Sequence, residues 1–143
     1  MELWEVIARE SIRDLVTRYN ANGDSGRFAQ VRPLFALDAS MHLMGQSYVG
    51  IDEVMTIFTN TQSQIAGHDT PAYLRHSTST HQIDLVDEAH ATGRVYFSVI
   101  TPIGLDHWGR YVDSYRVVDG QWRFAERRVT VDGKVPDSIF PDI

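Results

Sequence analysis

Two residues of this sequence, Asp24 and His76, have side chains that could together move a proton. An imidazole accepts a proton near pH 7 when it lies within hydrogen-bond reach of the reacting atom and a second group orients it. Each residue also has an ordinary structural interpretation. Asp24 follows an Asn22-Gly23 turn signal and could cap the next helix through Ser25-Gly26, and a lone histidine on a strand is more often structural. Neither residue is therefore diagnostic alone.

The segments that would position these residues are helical in the first half of the chain. Apolar side chains recur at steps of three and four over residues 3–20, which predicts an amphipathic helix that ends at the Asn22-Gly23 turn. A second, short helix is predicted over residues 28–35, although Pro33 removes one backbone donor there. A third helix is predicted over residues 51–65, so three helices precede most of the β-structure.

The second half of the chain is predicted to be β-structure because it is rich in Val, Ile, Thr, Tyr and Phe. Asp119-Gly120 is a strong hairpin signal, so neighbouring strands should run antiparallel. Because the helices come first and a meander of strands follows, the sequence predicts an α+β fold in which a curved, mostly antiparallel sheet wraps around the N-terminal helices. The curvature should leave a pocket between the two layers. The predicted strands span residues 41–44, 48–49, 74–86, 89–101, 108–118 and 121–131.

Two further features follow from the pattern of the last strands. Asp113 could form an ion pair with Arg127 or Arg128 of a neighbouring strand. Residues 134–143, which contain two prolines, are predicted to form a surface arm that could also cover the pocket or a partner subunit.

Length, composition and charge limit the number of domains, the partners and the location that can be expected of this chain. Its 143 residues, 43% of them hydrophobic, suffice for one buried core, so residues 1–143 are predicted to form a single domain. The net charge of -6 and the scattered Lys and Arg residues disfavour nucleic acid as a partner. The absence of cysteine excludes disulfides and thiolate catalysis. Because neither a signal-peptide pattern nor a stretch of roughly 20 apolar residues is visible, a cytoplasmic protein that binds no membrane is expected.

The sequence lacks the patterns that would indicate a metal or an organic cofactor. No helical H-x-x-x-H pattern occurs, and His76 and His81, five residues apart, would face opposite sides of a regular strand. Gly-x-Ser-x-Gly, phosphate-binding and dinucleotide-binding motifs are also missing, so cofactor-free chemistry is expected. The other histidines considered as metal ligands are His42, His68, His90 and His107.

Several short motifs occur in an order that is fairly specific to one family. They extend over nearly the whole chain and are Ile12 to Tyr19 with Asp24 five residues later, Leu34-Phe35-Ala36, Asp38-Ala39, Gly50, Arg75-His76, Gly109 to Asp113, Asp119 to Phe124, and Arg127-Arg128-Val129. On these residues the sequence resembles the SnoaL-like polyketide cyclases. They are a branch of the cone-shaped fold shared with nuclear transport factor two, scytalone dehydratase and ketosteroid isomerase. The resemblance implies the same α+β cone.

The resemblance also implies a site. In dehydratases and dehydrochlorinases of this family, an Asp at the end of the first helix and a His at the start of a long strand move the proton, and these match Asp24 and His76. Tyr19 matches a tyrosine that lines the dehydratase site, whereas the arginine that some dehydratases carry after the final strand is Val131 here. The aromatic side chains expected to line a substrate cavity are Tyr19, Tyr48, Phe58, Trp108 and Tyr111, with Tyr96 also considered.

The predicted function is that of a cofactor-independent lyase or isomerase that acts on a small hydrophobic molecule, with elimination favoured over isomerisation. Either His76 is the base and Asp24 orients it, or Asp24 is itself the base in an apolar pocket. Two other classes stay open: a non-catalytic ligand-binding or assembly module, and the small subunit of a ring-hydroxylating dioxygenase. The resemblance further implies a homodimer or homotrimer that associates through the exposed sheet face.

Overall fold

The structure, a computed structural model, describes residues 1–68 and 72–143. This part of the chain contains three α-helices and six β-strands. The predicted order of helices and strands is confirmed, although the first strand begins at Phe35 rather than at residue 41. The helices are α1 (Leu3–Asp24), α2 (Phe28–Val31), which a 3-10 turn (Arg32–Leu34) follows, and α3 (Ile51–Ala66). The strands are β1 (Phe35–Leu43), β2 (Gln46–Val49), β3 (Arg75–Leu85), β4 (His90–Thr101), β5 (Gly104–Val118) and β6 (Gln121–Lys134).

The six strands form one sheet in the order β2-β1-β6-β5-β4-β3. All neighbouring pairs are antiparallel except β1 and β6, which run parallel. The β5–β6 hairpin turns at Asp119 and Gly120, which both have positive φ, as this dipeptide predicts. Register shifts in the pairing of β3, β4, β5 and β6 bend the strands. The predicted α+β fold with a curved, mostly antiparallel sheet is confirmed.

Helix α1 is longer than its apolar pattern predicts. Its buried residues include Ile12, Leu15, Val16 and Tyr19, which lie on the predicted face, but the helix continues through Asn22 and Gly23 to Asp24. The side-chain amide of Asn22 donates to the carbonyl oxygen of Arg18 at 3.0 Å, one turn earlier, and so stays buried within the helix. The expectation of a turn at Asn22-Gly23 is therefore wrong. The extra turn carries Asp24 to the edge of the sheet.

A buried ion pair joins β5 and β6 in the middle of the sheet. Both Nε and Nη2 of Arg127 donate to the Asp113 carboxylate at 2.8 Å, and neither side chain has any exposed surface. The predicted pair is thus confirmed with Arg127 as the partner. Arg128 is exposed and contacts Glu126 instead, because successive side chains of a strand point to opposite faces.

The C-terminal arm folds back over the concave side of the sheet. The backbone N–H of Val135 donates to the carbonyl oxygen of Asp106 at 2.9 Å, and the arm then places Phe140 in a buried position. The expectation of a surface arm is wrong at Phe140, whereas the expectation that the arm could cover the pocket is confirmed, since Phe140 and Ile143 both line it.

No helix within residues 1–68 and 72–143 combines the length and the apolar character that crossing a lipid bilayer requires.

Candidate functional site

A cavity of about 620 Å³ lies between the C-terminal part of α1, α3 and the concave face of the sheet. Its volume falls within the range of roughly 300–1,000 Å³ that is usual for small-molecule sites. Apolar and aromatic side chains dominate the lining, which favours a hydrophobic ligand. Of the five side chains predicted to contact a substrate, those that line the cavity are Tyr19, Tyr48, Phe58 and Tyr111.

Trp108 does not line this cavity, so the expectation for it is wrong. Its neighbour on β5, His107, faces the cavity, and the alternation of side chains along a strand turns Trp108 to the outer face of the sheet. There its indole packs over Gly133 of β6, where a Cβ atom would come within 2.5 Å of the ring, and 37% of the residue is exposed. Tyr96 is exposed in the same way.

Asp24 and His76 meet at the wall of the cavity. The last residue of α1 places its carboxylate Oδ1 2.6 Å from Nδ1 of His76, and Oδ2 accepts the backbone N–H of His76 at 2.7 Å. Both carboxylate oxygens therefore contact one residue of β3, and Asp24 does not cap α2, whose N-cap residue is Arg27. The two side chains are largely buried, with 8% of Asp24 and 20% of His76 exposed.

This contact defines which imidazole nitrogen is available for chemistry. An ionised carboxylate only accepts hydrogen bonds, so the neutral ring carries its proton on Nδ1 and presents a lone pair at Nε2. Nε2 of His76 has no hydrogen-bond partner among residues 1–68 and 72–143, and His76 lines the cavity. The arrangement can take a proton from a bound molecule and hold the resulting imidazolium against Asp24.

A cation lies beneath the aromatic floor of the cavity, a feature that the sequence does not indicate. The guanidinium of Arg127 stacks 3.7 Å from the ring centroid of Tyr111 and 4.3 Å from that of Tyr19. Burial raises the pKa of both tyrosines above its usual value in spite of this cation. The phenols are therefore neutral at pH 7, and Tyr111 donates to Oδ1 of Asn20 at 3.3 Å.

Sequence reasoning missed a second His–Asp pair, in which His107 lines the cavity and Asp106 is fully buried beside it. Nδ1 of His107 lies 2.7 Å from Oδ1 of Asp106. Adjacent residues of a regular strand face opposite sides, but Val99 pairs with His107 and Ile100 with Leu105, so Asp106 is an extra residue without a partner on β4. This bulge turns both side chains inward, and an Asp-His dipeptide by itself carries no signal of it.

His81 also faces the inner side of the sheet, contrary to the expectation that His76 and His81 lie on opposite sides. Thr78 pairs with Phe97 and His81 with Val95, so two residues of β3 oppose one residue of β4. The extra residue reverses the alternation between the two histidines. His81 does not line the cavity; its Nε2 lies 3.3 Å from the hydroxyl of Tyr115, which donates to Asp113 at 2.7 Å.

We expect the pKa of His81 to weaken the fold at acid pH. Burial lowers this pKa from 6.5 to about 4. Between these two values the unfolded chain binds a proton that the folded protein does not, so stability is complete above pH 6.5 and falls as the pH is lowered towards 4. Because the ring is only half-buried, the expected loss is about 1 to 2 kcal/mol.

The variant His81→Gln isolates this contribution from those of the other titrating groups, because glutamine retains a side-chain donor and does not titrate. Urea unfolding at about pH 7 and about pH 4.5 should show a larger loss of stability in the wild type than in the variant. Equal losses in the two proteins would contradict the assignment to His81.

Within the described part of the chain, no group of three or more His, Cys, Asp or Glu side chains is arranged to hold a metal ion. Among these described residues, His76 and His107 each contact a single carboxylate.

Comparison with known proteins identifies the family of this chain. A family model described as a SnoaL-like domain matches residues 4–128, which is most of the sequence. The chain belongs to the SnoaL-like family. No curated protein matches this SnoaL-like sequence.

Solved structures show the same fold at low sequence identity. A protein of Novosphingobium aromaticivorans provisionally described as a scytalone dehydratase aligns with a TM-score of 0.81 and 20% identity, over 94% of this chain and 91% of that one. A hexachlorocyclohexane dehydrochlorinase of Novosphingobium barchaimii aligns with a TM-score of 0.80 and 16% identity, over 95% and 94%. A protein of unknown function from Nostoc punctiforme aligns with a TM-score of 0.78 and 21% identity, over 90% and 93%. At these identities the likeness establishes the SnoaL-like fold.

Proposed function

We propose that this SnoaL-like protein is a cofactor-independent lyase or isomerase that removes a proton from carbon in a small, largely hydrophobic molecule. The observation that carries the proposal is the 2.6 Å contact between Asp24 and His76 on the wall of an apolar cavity. A base held in one tautomer, beside a space where a substrate fits, is the minimum that proton abstraction requires.

His76 is the base in this proposal, and Asp24 orients it. Each carboxylate oxygen of Asp24 accepts a hydrogen bond from His76, and only 8% of the Asp24 side chain is exposed, so the carboxylate is directed at His76 rather than at a substrate carbon. The lone pair at Nε2 of His76, in contrast, accepts no hydrogen bond from any of the described residues. Burial of the pair strengthens the attraction between the carboxylate and the imidazolium formed in the transition state.

Elimination is favoured over isomerisation. His76 takes the proton from one carbon, the C–H electrons form the double bond, and the leaving group departs from the neighbouring carbon with its bonding electrons. Structural likeness to a dehydrochlorinase and to a provisional scytalone dehydratase supports this choice. Polyketides, steroids, terpenoids and chlorinated hydrocarbons suit the apolar lining, whose side chains include Met41, Ile57, Phe58, Phe97 and Val129.

A deuterium experiment tests this proposal on many candidate substrates at once. Panels of hydroxylated and chlorinated alicyclic compounds would be incubated with the protein in D₂O and analysed by mass spectrometry. Elimination releases water or HCl from the molecule, whereas reversible proton abstraction introduces deuterium. If the wild type and His76→Ala turn over a compound of the panel, or exchange its protons, at equal rates, the proposal is wrong.

A non-catalytic binding module is the alternative that the same cavity supports, because a fold does not determine a function. It predicts that a ligand found in the panel binds with equal affinity to the wild type and to a protein that lacks both Asp24 and His76, and that no product forms.

Self-association is a separate prediction from the family resemblance. The outer faces of β4 and β5 expose Tyr96, Ile100, Leu105 and Trp108, which is compatible with contact to a second copy of the chain. Sedimentation showing a monomer at micromolar concentration would contradict it.

A further inference from the structure

The second His–Asp pair of the cavity has no role in the proposed elimination. His107 contributes to the cavity wall, and 11% of its side chain is exposed, whereas the Asp106 carboxylate is fully buried. A buried ionisable pair next to a substrate cavity is costly to fold unless every polar atom finds a partner. The partners of Asp106 therefore indicate what is left for a ligand to bind.

Asp106 is saturated with hydrogen-bond donors. Burial by itself would raise the pKa of this carboxyl, but the donors outweigh burial and hold its pKa below the usual value. Asp106 is thus ionised and only accepts, which places the proton of His107 on Nδ1. The donors are Ser138 Oγ at 2.6 Å, His107 Nδ1 at 2.7 Å, the backbone N–H of Ile139 at 3.0 Å and Thr101 Oγ1 at 3.1 Å.

The surroundings of the His107 ring keep it neutral at pH 7. It lies edge-on to Phe140 of the C-terminal arm, with ring centroids 5.5 Å apart, and 6.4 Å from Phe97. Burial lowers the pKa of His107, although Asp106 opposes the shift. Nε2 therefore carries a lone pair, and it has no hydrogen-bond partner within residues 1–68 and 72–143.

His76 approaches the same Phe97 ring, with centroids 6.0 Å apart. The cavity thus presents two lone-pair nitrogens on rings that both lie close to one aromatic side chain. One of them is the proposed base. The other needs a hydrogen-bond donor, and a hydrophobic molecule can supply one as a hydroxyl group.

We propose that Nε2 of His107 accepts a hydrogen bond from a hydroxyl group of the substrate, so that the cavity selects hydrophobic molecules that carry a hydroxyl over those of the same shape that carry none. The inference deepens the proposed function, on which it rests for the identity of the cavity as the substrate site. A molecule without the hydroxyl leaves the acceptor buried and unpaired, which weakens binding by roughly tenfold to a hundredfold. Among the molecules that suit the apolar lining, those that carry a hydroxyl group should therefore bind more tightly than chlorinated or plain hydrocarbons of the same shape.

A matched pair of probes tests this selection. In 2-methylnaphthalene a methyl group replaces the hydroxyl of 2-naphthol with little change in shape, so the two differ mainly in the hydrogen bond. Isothermal titration calorimetry at pH 7 should show that the wild type binds 2-naphthol at least about tenfold more tightly. Equal affinity for both probes, or no detectable binding of 2-naphthol, would overturn the proposal.

The variant His107→Asn removes the acceptor with the least change to its surroundings. The side-chain amide of asparagine reaches the position of Nδ1 and can still donate to Asp106, but nothing replaces Nε2. We expect its affinities for the two probes to become equal. His107→Phe, which retains the ring shape, provides the same test should the asparagine variant fail to fold, because Asp106 keeps its three other donors. An unchanged preference in a folded variant would overturn the proposal.

The variant His76→Asn separates this inference from the proposed function. Equilibrium binding requires no turnover, so His107 can fail this test while His76 is a base, and the reverse also holds. We expect His76→Asn to retain the preference for 2-naphthol. Loss of the preference in His76→Asn but not in His107→Asn would assign the hydroxyl to His76 and overturn the proposal.

Discussion

Replacing His76 by asparagine should lower kcat for the proposed elimination by about 10²- to 10⁴-fold. The amide nitrogen of asparagine reaches the position of Nδ1 and can still donate to Asp24, so the contact to α1 is retained while the proposed proton acceptor, Nε2, is lost. The loss should fall on kcat rather than on substrate affinity, because His76 acts on the proton in the transition state. Steady-state kinetics on a substrate from the D₂O panel measures it.

Asp24→Asn should lower kcat to a similar extent for a different reason. An amide at this position cannot offer two acceptor oxygens to the two N–H groups of His76, so the ring loses its orientation and the imidazolium its counter-ion. His90→Asn is the matched control, because His90 contacts Asp87 at 2.9 Å in an exposed pair outside the cavity. A fall in kcat of less than about threefold in both dyad variants would contradict the assigned roles.

Replacing Arg127 by methionine should lower the free energy of unfolding by about 3 to 5 kcal/mol. The variant leaves the Asp113 carboxylate fully buried, and among the described residues only the hydroxyl of Tyr115 still donates to it. It also removes the cation–π contacts of the guanidinium with Tyr19 and Tyr111, two side chains that line the cavity. Urea unfolding at pH 7 measures the change.

Two further variants make this prediction specific. Arg110→Met breaks an exposed pair with Asp132 on the same two strands, at 2.7 Å, and should cost no more than about 1 kcal/mol. The double variant Arg127→Met with Asp113→Leu removes both buried charges and should be more stable than Arg127→Met alone. A double variant as unstable as the sum of its parts would show that the cost lies in packing rather than in the unpaired carboxylate.

Much of the fold is predictable because its signals are local. The three- and four-residue spacing from Ile12 to Tyr19 identifies α1, and the Asp119-Gly120 pair identifies the last hairpin. Asp113 and Arg127 lie at strand positions that allow a cross-strand pair, and the structure pairs them directly. That Asp24 and His76 belong to one site is predictable only through the motif order that resembles a family, since the two residues lie 52 positions apart, and their distance is not predictable from the sequence.

The errors at the site all concern which face of the sheet a side chain occupies. The sequence pattern predicts Trp108 in the cavity and His81 opposite His76, and it gives no signal for Asp106. For His81 and Asp106 the cause is a bulge, one in β3 and one in β5, which adds a residue opposite β4 and reverses the local alternation. For Trp108 the pattern shows that side chains alternate between the two faces of the sheet, but not which set faces the cavity. The period of two is a property of the strand, whereas the choice of inner face depends on the rest of the fold.

The sequence by itself determined which helices and strands form and in what order, the apolar character of the interior and the residue types of the proposed dyad, because propensity and periodicity depend on neighbours within a few positions. Only the tertiary structure decided that Asp24 ends α1 within hydrogen-bond distance of His76, that Arg127 lies beneath Tyr19 and Tyr111, and that Asp106 fixes His107 on the cavity wall. These contacts join residues far apart in the chain or depend on strand register, and register is set by the pairing of whole strands rather than by any short segment.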